Sequence, residues 1–176
     1  MLDTRPLETE YAPYYGRYIA LVAETDVLTV LRAQAADVER LFGRIGDADE
    51  TFRYAPDKWT FREVVGHCID AERIFGLRSF CFSRGERSPL PSFDENAYAV
   101  EGRYGGVGLR ELLAEFAAVR TSNVAFLSRL GDDRWMRMGT ASGHPVSVRA
   151  LAYMMAGHVR HHLTIVEERY LPAMRA

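Results

Sequence analysis

The chain has little with which to staple itself or to enter a membrane. Only two cysteines occur in 176 residues, Cys68 and Cys81. On one helix, the thirteen residues of rise between them correspond to about 20 Å, beyond the reach of a disulfide. A disulfide framework is therefore excluded and a reducing, cytoplasmic setting is expected. No apolar run is long enough to span a bilayer, and the N-terminal stretch is acidic and polar where a signal peptide would be basic and then apolar. Charge of one sign is lacking too. A formal net charge of −2 offers no basic field for nucleic acid, so no nucleic-acid partner and no membrane association are expected. What remains, 48% apolar and 26% charged residues, is the composition of an ordinary globular chain large enough to bury a core as a single domain over residues 1–176.

Four helices follow from periodicity. Residues 1–24 read as an arm with a helical turn at 14–24, its tyrosines expected to cover a bundle end or a dimer surface. From Asp26 to Ile45, Leu28, Leu31, Ala35, Val38 and Phe42 recur in steps of three and four, an apolar seam stopped by Gly46. After a polar connection over 47–59, Thr60 and Glu63 form a capping box that starts a second helix running to about Phe82. Its inward stripe holds Val64, His67, Ala71 and Ile74. Residues 84–107 are rich in Gly and Pro and form a long crossover, with a helical turn at 94–100. A third helix runs from Gly108 to Leu130, with Asn123 inside its stripe, where it sets register or faces a cavity. Residues 132–146 carry turn signals at Gly139, Ser142-Gly143 and Pro145, read as a short hairpin or extended strap. A last helix spans Ser147 to Tyr170. The fold class is all-α, a four-helix bundle with one long crossover and a short strap before the last helix.

That last helix poses the functional question. Leu151, Met155, His158, His162 and Ile165 share one face. Two histidines four apart, pointing where a core should be, are either metal ligands or neutral core residues. A His-x-x-x-His spacing alone is weak evidence. The inward His67 adds a third imidazole, and metal sites between facing helices take this form. His161 lies toward the edge of the stripe and is expected to line a pocket. His144 reads as an exposed loop residue. Glu63 and Asp70 flank His67; because Glu63 caps its helix, Asp70 is the better acceptor for the far nitrogen of a ligand imidazole, with a surface salt bridge as its alternative role. Cys68 is rotated about 100° from His67 around the helix and reads as a core residue.

The stretch Lys58-Trp59-Thr60-Phe61-Arg62-Glu63-Val64-Val65-Gly66-His67, followed by Asp70-Ala71-Glu72-Arg73, resembles the second-helix signature of the DinB-like family. Gly157-His158-Val159-Arg160-His161-His162 resembles its fourth-helix signature, and the likeness extends from about Tyr15 to Tyr170. The resemblance implies a four-helix bundle, a homodimer, and one divalent metal held by His67, His158 and His162.

Three neutral imidazoles leave coordination positions open for water or a substrate atom. The donor set suits zinc, nickel or ferrous iron. A bound ion would generate hydroxide for hydrolysis or hold a thiol as thiolate. Members of the similar family include transferases that use low-molecular-weight thiols such as bacillithiol or mycothiol. The expectation is therefore a metal-dependent thiol transferase acting on a small electrophilic substrate. Alternatives are a metal-dependent hydrolase and, from another class, a non-catalytic metal-binding or dimeric interaction module. The crossover and the strap are expected to wall the pocket, with Phe93, Asp94 and Tyr98 as candidate substrate contacts.

Overall fold

The computed structural model describes residues 4–175; residues 1–3 of the expected arm lie outside that range. The arm enters through two short 3-10 turns, Glu8–Glu10 and Pro13–Tyr15, and a single helical turn α1 (Gly16–Ile19). Four long helices follow: α2 (Val27–Phe42), α3 (Phe61–Ser83), α5 (Leu109–Leu127) and α7 (Val148–Ile165). Between them lie α4 (Glu95–Gly102) in the crossover, then α6 (Asp132–Trp135), β1 (Met138–Ala141) and β2 (His144–Ser147). The chain closes with a π turn, Val166–Tyr170, and α8 (Leu171–Ala173). Among the described residues, no helix is long and apolar enough to cross a membrane.

Polar side chains start these helices where the sequence implies. Asp26 accepts the amides of Leu28 and Thr29. Thr60 and Glu63 satisfy each other's free amides in the capping box. Ser147 accepts the Ala150 amide. The stops are less legible. Helix α2 ends at Phe42 with Gly43 as its cap, three residues before Gly46, although Ile45 is still buried just beyond it. The last helix loosens into the π turn after Ile165, and the chain continues helically through Pro172.

Helix α2 packs on α5 and α7, and so does α3, which sets the ring order α2, α5, α3, α7. Sequence neighbours α2 and α3 therefore lie on a diagonal. The core has two apolar halves. One takes Leu28 and Leu31 of α2, Phe75 and Phe82 of α3, Leu127 of α5, and Leu151 and Met155 of α7. The other takes Val38 and Phe42, Phe61 and Val65, Leu112 and Phe116, and Val159. Which end of each helix enters which half fixes the directions: α2 and α7 run one way, α3 and α5 the other. The long crossover is what lets two adjacent helices, α3 and α5, run parallel.

Between the halves lies a polar layer that the apolar periodicity did not announce. Arg120 of α5 bonds Glu72 of α3 at 2.6 and 3.0 Å, Gln34 Oε1 at 2.8 Å and the Leu31 carbonyl. Gln34 in turn donates to the Ala156 carbonyl of α7 at 2.8 Å. All four long helices are thereby linked at mid-bundle. Each buried polar atom in this chain of bonds has a partner, which keeps such a layer from being a liability.

The strap is a hairpin joined by Ser142-Gly143, both at positive φ (53° and 78°), as a two-residue turn requires. Gly139 is not a turn residue: it lies within β1, where the Phe82 ring packs on its backbone. Trp135 belongs to α6 and is buried. Leu90 of the crossover bonds the Thr140 carbonyl and the Ser142 amide, adding a strand-like edge to the hairpin. Arg78, buried on α3, donates to the Pro91 carbonyl and to Ser142 Oγ, pinning crossover and hairpin together.

Candidate metal centre

Helices α3 and α7 are antiparallel neighbours, and their facing stripes bring three histidines together in the layer between the apolar halves. His67 sits two turns into α3; His158 and His162 sit one turn apart on α7. All three are buried, and one ring nitrogen from each lies within 4.8 Å of the others. His158 Nε2 is 2.9 Å from His67 Nε2 and 3.2 Å from His162 Nε2.

The two short separations from His158 suit ligands of a shared cation. With metal–nitrogen bonds of about 2.0–2.1 Å, two ligand nitrogens stand about 2.9 Å apart at a right angle and about 3.3 Å apart at the tetrahedral angle. Hydrogen bonding satisfies the cluster poorly by comparison. His158 Nε2 carries either one hydrogen or one lone pair, so it cannot make two good hydrogen bonds at once. An ion facing all three nitrogens would use every lone pair.

Burial also fixes the protonation state. It pushes His67 down to about 4, helped by the nearby charge of His161. Burial and the neighbouring imidazoles hold His158 and His162 well below the ordinary histidine value. Neutral imidazole is the ligating form.

Aromatic rings surround the triad. Trp59 lies over His67, ring centroids 4.5 Å apart, and Tyr170 fixes it by donating to the Trp59 carbonyl at 2.7 Å. Tyr18 meets both His158 and His161 edge-on at 5.3 Å. This placement revises the expectation for the arm: Tyr18 is buried against α7 at the triad. Gly157 explains how, because a Cβ there would overlap the Tyr18 carbonyl. The arm is latched at two points, Glu10 to Arg149 and Ser147, and Glu24 to Arg160 at 2.6 Å.

His161 is half-buried and packs on Tyr18 and His162. Asp70 is turned elsewhere: it accepts the Tyr104 hydroxyl at 2.6 Å, and among the described residues no carboxylate bonds a triad imidazole. Arg73, the surface arginine beside it, pairs with Glu115. Asn123 is bonded to Glu72 at 3.1 Å, joining the polar layer and setting register, not facing the histidines. Cys68 is buried, and burial pushes its thiol up to about 12. His144 is exposed in β2.

A cavity of about 250 Å³ reaches His162, lined by Tyr54, Trp59, Asn96, Ile165 and Tyr170 among others. Its walls come from the 47–59 connection, α3, α4, α7 and the π turn; the hairpin supplies none. Asp94 caps α4, and Phe93 packs on Tyr98, so these three shape the crossover without lining that cavity. Two larger grooves, about 440 and 460 Å³, flank α2 and α7 and contain no histidine.

The sequence profile of the DinB superfamily matches residues 31–166. In a search of curated proteins no sequence matches. Among solved structures, YfiT from Bacillus subtilis, described as a probable metal-dependent hydrolase with an unusual four-helix bundle topology, superposes with a TM-score of 0.75 at 19% identity. The match covers 95% of this chain and 91% of that one. A mycothiol-dependent maleylpyruvate isomerase superposes with a TM-score of 0.67 at 15% identity, over 79% of this chain and 58% of the isomerase. At these identities the likeness speaks for the fold.

Proposed function

Because this chain belongs to the DinB superfamily, we propose that it is a divalent-metal-dependent enzyme of thiol-transferase type, with His67, His158 and His162 as the ligands. The observation that carries this reading is the clustering of three buried, neutral imidazoles, one nitrogen of each within 4.8 Å of the others. A divalent ion there would supply Lewis acidity toward an oxygen or sulfur of the substrate pair. Trp59 and Tyr18 pack against the ligand rings, Trp59 on His67 and Tyr18 on His158. Asn96 and Tyr54 line the approach beside His162 and are placed to orient a small electrophile. Neither cysteine is placed as the nucleophile: Cys68 is buried and held protonated, and Cys81 lies about 21 Å from His67 along α3. A thiol reaction would therefore draw on a low-molecular-weight thiol cosubstrate. A homodimer in the cytoplasm is part of the proposal.

Hydrolysis is the second reading, favoured by the likeness to YfiT over nearly the whole chain. The same triad would serve it with water in place of the thiol.

Metal analysis of protein purified without a histidine tag is expected to give about one divalent ion per chain, as an open three-ligand site requires. Protein that stays metal-free after reconstitution would contradict the site. Conjugation of a generic electrophile should require both metal and added thiol; turnover without thiol would assign hydrolysis instead. Silence across a broad panel of both would leave a non-catalytic binding module.

A further inference from the structure

The three ligand candidates are uncharged, and among the described residues no carboxylate bonds their rings. Metal-ligating histidines usually donate their second nitrogen to a carboxylate or carbonyl, and a carboxylate there offsets part of the ion's charge. Here Asp70 is engaged by Tyr104, and Glu63 by the cap at Thr60. The side chains whose charge acts on His67, His161 and His162 are themselves cationic or imidazole: His67, His161 and Arg17. With its own imidazoles neutral, the centre lies in the field of a nearby cation that acts on His158, His161 and His162.

Arg17 is the permanent charge in that field. Its guanidinium lies 4.0 Å from the Tyr14 ring centroid and 4.7 Å from that of Tyr18. Its Nη2 donates to the hydroxyls of Tyr14 and Tyr18. Two rings and two hydroxyls therefore fix the plane of the group, and one tyrosine ring separates it from the His158 imidazole. Arg17 is exposed, and among the described residues no carboxylate pairs with it and neither Nε nor Nη1 finds an acceptor. Other basic groups nearby are occupied: Arg160 by Glu24, Lys58 by Asp57, and Arg78 by Pro91 and Ser142. A pre-oriented guanidinium with free donors is suited to a carboxylate.

We propose that the ligand taken at this centre is an organic anion whose carboxylate is received by Arg17, beside the Tyr18 ring that packs on His158. The proposal rests on the metal-centre reading above and adds to it the class of molecule recognised. Arg17 would act as a binding residue that selects and orients, leaving the metal ligands untouched.

The test uses zinc-loaded full-length protein carrying Trp135→Phe and follows the emission of Trp59, since that ring covers His67. Mercapto-carboxylates of two to six carbons are titrated against mercapto-alcohols of equal length. For at least one chain length the acid should bind about tenfold more tightly, the gain expected of one charge-assisted contact. Arg17→Gln should remove that advantage while leaving alcohol affinity and zinc content unchanged. Equal binding of acid and alcohol at every length would overturn the proposal while the metal centre stood, and so would an acid preference that survives Arg17→Gln. Failure to load one zinc per chain would overturn the metal-centre reading itself, and this inference with it.

Discussion

Arg120 and Glu72 form a two-pronged ion pair at the centre of the bundle, both side chains almost wholly out of solvent, at 1% and 2% exposure. Buried this way, each charge is tolerable only because the other is present. The pair sits in the layer that also holds the three histidines, and Gln34 extends it to Ala156, two residues before His158.

Breaking the pair from one side should therefore be costly. Arg120→Met leaves Glu72 buried without its counter-charge and should lower stability by about 3–5 kcal/mol. The double variant Arg120→Met/Glu72→Met should recover most of that loss. Urea unfolding of the single and double variants measures the coupling, and additive losses would contradict it.

Gly157 is required by contact. Gly157→Ala places a methyl group into the Tyr18 carbonyl and should destabilise by at least about 1–3 kcal/mol, with the arm displaced from α7. Gly105→Ala, where nothing lies within 4 Å, should stay within about 0.5 kcal/mol of the parent. Thermal unfolding of the two variants, with proteolysis of the arm, separates these outcomes.

His158 and His161 are three residues apart and should behave oppositely. His158→Ala removes the nitrogen common to both short contacts in the triad and should abolish stoichiometric metal binding. His161→Ala, whose ring faces Tyr18, should retain it. Elemental analysis decides; the reverse pattern would move the site.

Acid should loosen the arm first. The Arg160 guanidinium beside Glu24 holds its carboxyl down to about 2 from an ordinary 4.5. At Glu10 burial pushes upward, but bonds from Arg149, the Leu7 amide and Ser147 outweigh it, and the net direction is down. Both groups hold protons more weakly folded than unfolded, so their stabilisation is complete above about pH 4.5 and fades as pH falls toward 2. The Glu24 pair is partly exposed and screened, worth under about 1 kcal/mol; the Glu10 latch is buried. Glu10→Gln should flatten the acid limb of a urea-midpoint profile between pH 5 and pH 2. An unaltered limb would show that the latch contributes nothing.

Much of this architecture was legible in the chain. The apolar seams of α2, α3, α5 and α7, the helix starts at Asp26, Thr60 and Ser147, and the inward placement of His67, His158 and His162 follow from spacing, because helical period is local; that His67 meets the α7 pair is what the family resemblance implied. The polar layer was hidden because Gln34, Glu72 and Arg120 read as surface residues until three helices bring them together. Tyr18 and Trp59 were hidden for the same reason: a ring on a connecting segment acquires meaning only when a distant helix supplies its neighbour. Asp70 illustrates the converse. Its spacing from His67 suggested a role that Tyr104, 34 residues later, takes over.

The order of the helices sets a clock on the centre. His67 and His158 are 91 residues apart, with the crossover, α5 and the hairpin between them. At translation rates of about 5–20 residues per second, the second and third imidazoles leave the ribosome about 5–20 s after the first. Closing so long a loop must also precede any contact that rewards it. A half-made chain therefore offers passing metal a single weak donor, and the chelating set exists only once the bundle has closed. On the proposed reading of the centre, metal loading would thereby be confined to finished molecules.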